Sequence, residues 1–111
     1  MLQVQGQLSK DLVIARLDGP ANLKSLMTRW ITEATDEQVT HFVWAVTGAR
    51  SLGTNLRIIL RSMPSLDETF FPVFHTCFAT VDLPHYARYE TFRARLNESI
   101  AQGLEQGFAL C

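Results

Sequence analysis

The residue pattern predicts an α/β domain of the α+β kind, a small mixed sheet packed with about four helices. Apolar residues recur at spacings of three and four in the stretches Leu23 to Ala34, Val39 to Val46 and Tyr89 to Leu104, the stripe of an amphipathic helix. Two short runs lie between the second and third stretches, Leu56-Arg57-Ile58-Ile59-Leu60-Arg61 and Phe78-Ala79-Thr80-Val81-Asp82-Leu83. They are too short for helices and suit strands. A chain of 111 residues has room for one domain and one modest core. No repeat, low-complexity segment or long linker divides it, so residues 1–111 are expected to form a single unit, with residues 1–20 as a lead-in.

Leu2 and Val4 alternate with Gln3 and Gln5, a short strand pattern that Gly6 interrupts. Ser9 suits the cap of a short helix over Lys10–Leu17 with Leu12, Val13 and Leu17 inward, although Asp11-Leu12-Val13-Ile14 is equally good strand material. Asp18-Gly19-Pro20 ends either one. Leu23, Leu26, Met27, Trp30, Ile31 and Ala34 then mark one face of a helix. Thr35 and Gln38 fit a capping box, with Asp36 and Glu37 in the first turn, where the helix dipole favours them. The helix that follows has Val39, Phe42, Val43 and Val46 on one face and Gly48 as its C-terminal cap. Ile58 and Leu60 share one face of the first strand. Residues 62–72, with Pro64, Asp67, Glu68 and Pro72, read as a loop, and the second strand is bounded by Cys77 and Leu83 before Pro84. A last helix is expected from about Ala87 to Glu105, inward at Tyr89, Phe92, Leu96, Ile100 and Leu104. The tail Gly107-Phe108-Ala109-Leu110-Cys111 has no period, and its two large apolar residues need a dock on this domain or on a partner.

The composition narrows the function. A formal net charge of −1 gives no broad basic field for nucleic acid or an anionic membrane surface. No apolar run approaches the ~18 residues of a membrane span. Met1 to Gln7 has neither a charged start nor an apolar core, so a secretory signal is not expected. Two cysteines, Cys77 and Cys111, make no disulfide framework, and a reducing compartment, cytoplasm or nucleus, is the expectation. Gly-rich phosphate loops, Gly-x-Ser-x-Gly elbows and His-Glu-x-x-His helices are missing from the sequence, and no cofactor is called for. Trp30, Phe42 and Phe92 are accounted for by core packing, and Arg88, Arg93 and Arg95 by a solvated helix face with Glu90 and Glu98.

Attention then falls on Cys77, between turn-formers and a strand. A thiol at such a junction is both held and reachable, the two needs of a nucleophile that meets a large substrate. A free thiol is mostly protonated at neutral pH, so a neighbouring base or cation matters. His75 precedes Cys77 by two positions. In an extended chain the two side chains share a side at ~6.5–7 Å between Cα atoms. His75 could then touch the sulfur or shape the loop through backbone bonds; no third residue to orient the ring is evident. Thr76 would face the other way and bond local backbone. Cys77 read alone fits first a small buried hydrophobe beside Phe78, and only secondarily a partner for Cys111 or a ligand of a zinc site with His75 and His85, whose spacing matches no standard finger. Asp82 could handle protons or be an exposed, solvated carboxylate, and His41 is expected at the surface or its boundary.

His75-Thr76-Cys77-Phe78, followed by Val81-Asp82-Leu83-Pro84 and Tyr86 and preceded by Pro72, resembles the active-site region of HECT-type ubiquitin ligases. Phe42-Val43-Trp44-Ala45-Val46-Thr47-Gly48-Ala49-Arg50 resembles the family's apolar helix ending in Phe-Val-Thr-Gly, and Phe108 stands fourth from the end, where relatives often have phenylalanine. The resemblance covers most of residues 22–111. It implies the fold of a HECT C-terminal lobe, with residues 1–20 near the hinge. It further implies that Cys77 accepts ubiquitin as a thioester from a ubiquitin-conjugating enzyme and passes it to a lysine of a protein substrate. The family's N-terminal lobe, which recruits the conjugating enzyme, would be the other partner. Phe108 would anchor the lobe during the second transfer, and His75 and Thr76 match the motif by position. The short segment Ser51–Asn55 and the bulky Phe71 and Phe74 depart from the pattern, and the first twenty residues match least. An alternative is a non-catalytic module that binds ubiquitin or a partner in a degenerate ligase. A cysteine hydrolase would need a His–Asp or His–Asn pair at Cys77, and a redox protein would need Cys111 close by.

Overall fold

The computed structural model describes residues 9–48, 57–63 and 70–106, with the backbone alone at Cys77 and at 104–106. The expected strand at residues 2–5, the segment Ser51–Asn55, Phe108 and Cys111 lie outside the described residues. The elements, in chain order, are α1 (Lys10–Ala15), β1 (Leu17–Asp18), α2 (Ala21–Glu33), α3 (Asp36–Thr47), β2 (Ile58–Ser62), β3 (Val73–His75), a 3-10 turn (Thr76–Phe78), β4 (Thr80–Leu83) and α4 (Tyr89–Gln106). This is the mixed α/β architecture the pattern predicts.

Local chemistry sets the helix ends. Ser9 Oγ accepts from the Leu12 amide to start α1. The helix stops after six residues: Asp11–Ile14 are helical and not strand, while Leu17, expected at the end of the helix, opens the short strand with Asp18. Val13 and Leu17 are buried as expected, whereas Leu12 is 40% exposed. A helix of under two turns has too short a stripe to fix its phase. Thr35 and Gln38 form the capping box: Gln38 N–H donates to Thr35 Oγ1 at 3.1 Å, and Thr35 N–H donates to Gln38 Oε1 at 2.9 Å. Gly48 ends α3 with φ 78°, a left-handed cap that a side chain would strain. The last helix begins at Tyr89, two residues later than expected.

The sheet order is β1-β2-β4-β3, with β1–β2 and β2–β4 parallel and β3–β4 antiparallel. Ile58, Leu60, Val81 and Leu83 point to one face and are buried there. Met27, Trp30 and Ile31 of α2, Phe42 and Val43 of α3, and Phe92, Leu96 and Ile100 of α4 complete the core. Burying side chains of this size stabilises by roughly 1.5–3 kcal/mol each. Trp30 ties three helices together: its ring lies 5.6 Å from that of Phe42, and its Nε1–H donates to Asn97 Oδ1 at 2.9 Å. Gly19, with φ 145°, lets the chain pass against β2, where a Cβ would come within 2.5 Å of the Leu60 carbonyl oxygen.

Two strand expectations are corrected. The run 62–72 is not all loop: β2 continues to Ser62, and beyond that run Val73–His75 form β3 at the sheet edge. The second main strand begins at Thr80, not at Cys77 or Phe78. Residues 76–78 instead wind into a 3-10 turn, closed by Ala79 with φ 49°. Pairing to β4 decides both, and local propensity does not report it.

Candidate functional site

The residues singled out around Cys77 sit on the connection between β3 and β4. His75 is the last residue of β3 and pairs with Thr80, the first of β4, so the turn is the tip of a short hairpin. Thr80 Oγ1 donates to the Phe78 carbonyl at 2.9 Å. The Ala79 amide donates back to Thr76 O at 3.4 Å, and the Ala79 carbonyl accepts from Ile59 N–H of β2 at 2.9 Å. Left-handed backbone at a residue other than glycine costs about 1–2 kcal/mol, and these bonds hold Ala79 there. The C-terminal end of α3 approaches from the helix side: a Cβ on Gly48 would lie 3.7 Å from Thr76 Cβ. The stretch ending in Thr47-Gly48 and the stretch His75–Phe78, far apart in sequence, therefore meet. Phe78 is 72% exposed, so the turn reaches solvent beside Cys77.

The approach to β3 is fixed from α4 and the segment before it. Tyr86 Oη donates to the Phe70 carbonyl at 2.6 Å, Ser99 Oγ donates to Pro72 O at 3.3 Å, and the Arg95 guanidinium lies 5.1 Å from the Phe71 ring centre. Phe74 is partly buried and packs on the core, so its bulk is turned inward.

The chain winds between His75 and Cys77, so the alternation that would set both side chains on one side does not apply. His75 has a partner nonetheless. Its Nε2 lies 3.0 Å from Asp82 Oδ2. Arg61 grips the same carboxylate from β2, Nε donating to Oδ1 at 2.7 Å and Nη2 to Oδ2 at 3.1 Å. Asp82 is thus a shared acceptor, half-buried, which corrects the reading of it as an exposed, solvated carboxylate. Burial pushes its carboxyl up, but the hydrogen bonds and charges of Arg61 and His75 outweigh that and hold it below the ordinary aspartate value. Sequence reasoning missed Arg61 and the Asp82 contact. The signal was the alternation of Thr80 and Asp82 against Val81 and Leu83, which puts Asp82 on the outer face. Its use required knowing that Val73-Phe74-His75 pairs alongside.

Among the described residues, no group of three or more His, Cys, Asp or Glu gathers as a metal site. His85 is exposed, and His41 is half-buried at the boundary, as expected. Among the described residues, no helix is long and apolar enough to cross a membrane. A separate open cleft of ≈ 440 Å³ lies between the helices, lined by Trp30, Glu33, Ala34, Gln38, Tyr89, Arg93, Ala94 and Asn97. None of these residues belongs to the sheet or the turn.

The model of the HECT-domain (ubiquitin-transferase) family matches residues 8–111, and the chain belongs to that family. Similar curated proteins include "Probable E3 ubiquitin-protein ligase HERC4" of Rattus norvegicus, Mus musculus and Homo sapiens, each 38% identical over 56 residues. The aligned stretch takes in 50% of this chain and 5% of each relative.

Proposed function

We propose that this chain is the cysteine-bearing C-terminal lobe of a HECT-type ubiquitin ligase, with Cys77 as the residue that carries ubiquitin. In the first step the Cys77 sulfur attacks the thioester carbonyl that joins ubiquitin to a conjugating enzyme. A new carbon–sulfur bond forms as the old one breaks. In the second, the amine of a substrate lysine attacks the Cys77 thioester, and an amide forms as the thiol is released. Membership of the HECT family supports the reaction class. The observation that carries the assignment of Cys77 is its position in the 3-10 turn at the hairpin tip, next to a largely exposed Phe78. A hairpin tip can meet a partner as large as ubiquitin without a deep pocket.

Exchange of one thioester for another changes little in bond energy, so the lobe contributes mainly by proximity, worth up to ~7–11 kcal/mol for ideally placed groups. The partners in this reading are ubiquitin, its conjugating enzyme, a HECT N-terminal lobe and protein substrates. Thr76, the first residue of the turn, supports its shape, and Phe108 anchors the lobe when the amine attacks. An electrophilic ubiquitin probe tests the assignment, with the labelled site mapped by mass. Labelling at Cys77 that vanishes in Cys77→Ala, with the fold unchanged by circular dichroism, is the expected outcome. Undiminished labelling of the variant, or none of the native chain, sinks it.

A further inference from the structure

We propose that Asp82, braced by Arg61, is a positioning residue for His75, fixing the imidazole in the tautomer whose Nδ1 accepts a proton beside the turn that carries Cys77. This rests on the reading of Cys77 as the ubiquitin acceptor. An ionised carboxylate only accepts hydrogen bonds, so the 3.0 Å contact with Asp82 Oδ2 requires the hydrogen on His75 Nε2. In the neutral ring Nδ1 is then the acceptor. Arg61 keeps the carboxylate ionised and fixes its plane, since the fork of Nε and Nη2 occupies Oδ1 and Oδ2 together. The three side chains come from three adjacent strands. Arg61 pairs directly with Asp82 across β2 and β4, and His75 reaches it diagonally from β3. An exposed arginine–aspartate pair alone contributes little to stability. The third member, whose next residue opens the cysteine turn, gives this pair a role in the chemistry.

The step balances simply. The thiol proton of Cys77 passes to His75 Nδ1, and the sulfur attacks the carbonyl carbon at ubiquitin's C-terminus. The conjugating enzyme's sulfur leaves as a thiolate and takes up that proton. Nothing is oxidised or reduced.

Nuclear magnetic resonance on the whole chain with ¹⁵N-labelled histidine reads the tautomer directly. The chain has three histidines, His41, His75 and His85, so His75→Gln assigns the signal. The native protein, with the ring neutral, should show hydrogen on Nε2 and a bare Nδ1. In Asp82→Asn the amide oxygen should stay with Arg61 Nε, the shorter contact, and turn the amide nitrogen to Nε2. The ring then flips to the Nδ1–H form. Iodoacetamide alkylation of Cys77, measured with Cys111→Ser to remove the second thiol, should slow ~10-fold or more in Asp82→Asn. It should slow no further when Asp82→Asn is added to His75→Gln. A native spectrum with Nδ1–H and bare Nε2 overturns the proposal without any variant. So does an equal loss of alkylation from Asp82→Asn in the His75→Gln background. The expected tautomer together with a Cys77 that no ubiquitin probe labels supports the positioning and sinks the transfer reading beneath it.

Discussion

Tyr86 and Tyr89 keep protons that free phenols would give up. Burial pushes Tyr86 up to about 12, partly offset by the charge of Arg95, and its hydroxyl is committed to the Phe70 carbonyl. Burial first, then the hydrogen bond to Glu33, pushes Tyr89 to about 12 as well. Both folded values exceed the ~10 of an unfolded tyrosine. The neutral form is therefore favoured by folding, and the stability it contributes is complete below about pH 10 and lost as pH rises through about 12. These are the only tyrosines in the chain, so the phenolate absorbance of the folded protein should be nearly silent at pH ~10, while the urea-unfolded chain is half ionised. A folded protein that titrates with the unfolded one would show that neither hydroxyl is enclosed as described.

At the scale of elements, the helices owe their ends to local chemistry and their faces to the core. Removing the capping hydroxyl by Thr35→Ala should cost ~0.5–2 kcal/mol. Leu96→Ala on the buried face of α4 should cost more, ~2–5 kcal/mol, because Leu96 is fully enclosed. Urea denaturation compares them directly, through the midpoint at an unchanged slope. A Leu96→Ala cost no larger than that of Thr35→Ala would mean the α4 face is not packed. The same division explains what was legible in the sequence. The box of Thr35 and Gln38, the Gly48 cap, and the stripes through Trp30, Phe42 and Leu96 are written in neighbours three or four residues apart. The three residues of β3 and the turn at Thr76–Phe78 exist because β4 lies alongside, and no local period encodes that. Cys77 and His75 stood out by motif. Asp82 as the partner of His75 and Arg61 did not, because the contact needs the register of three strands at once.

Taken as a whole, the molecule is bound at both edges of its sheet. At one edge β3 carries the cysteine turn. At the other, β1 is two residues long, yet Leu17 and the neighbouring Val13 of α1 are both in the core. Deleting residues 1–18 removes these two side chains, worth ~3–6 kcal/mol together. The melting temperature should then fall by at least about 10 °C. A calorimetric midpoint lowered by no more than ~2 °C would show that α1 and β1 are dispensable.

The Lys10 ammonium donates to the carbonyls of Thr32 and Ala34, at and just past the end of α2, which fastens the first helix onto the second. The consequence is mechanical: the clasp and the buried Val13 together tie α1 to α2, which itself packs on the sheet. The hairpin tip is thereby joined to α1 by one unbroken packed path, through α2 and the sheet, so a change that loosens the clasp is felt first in α2 and only then at the sheet.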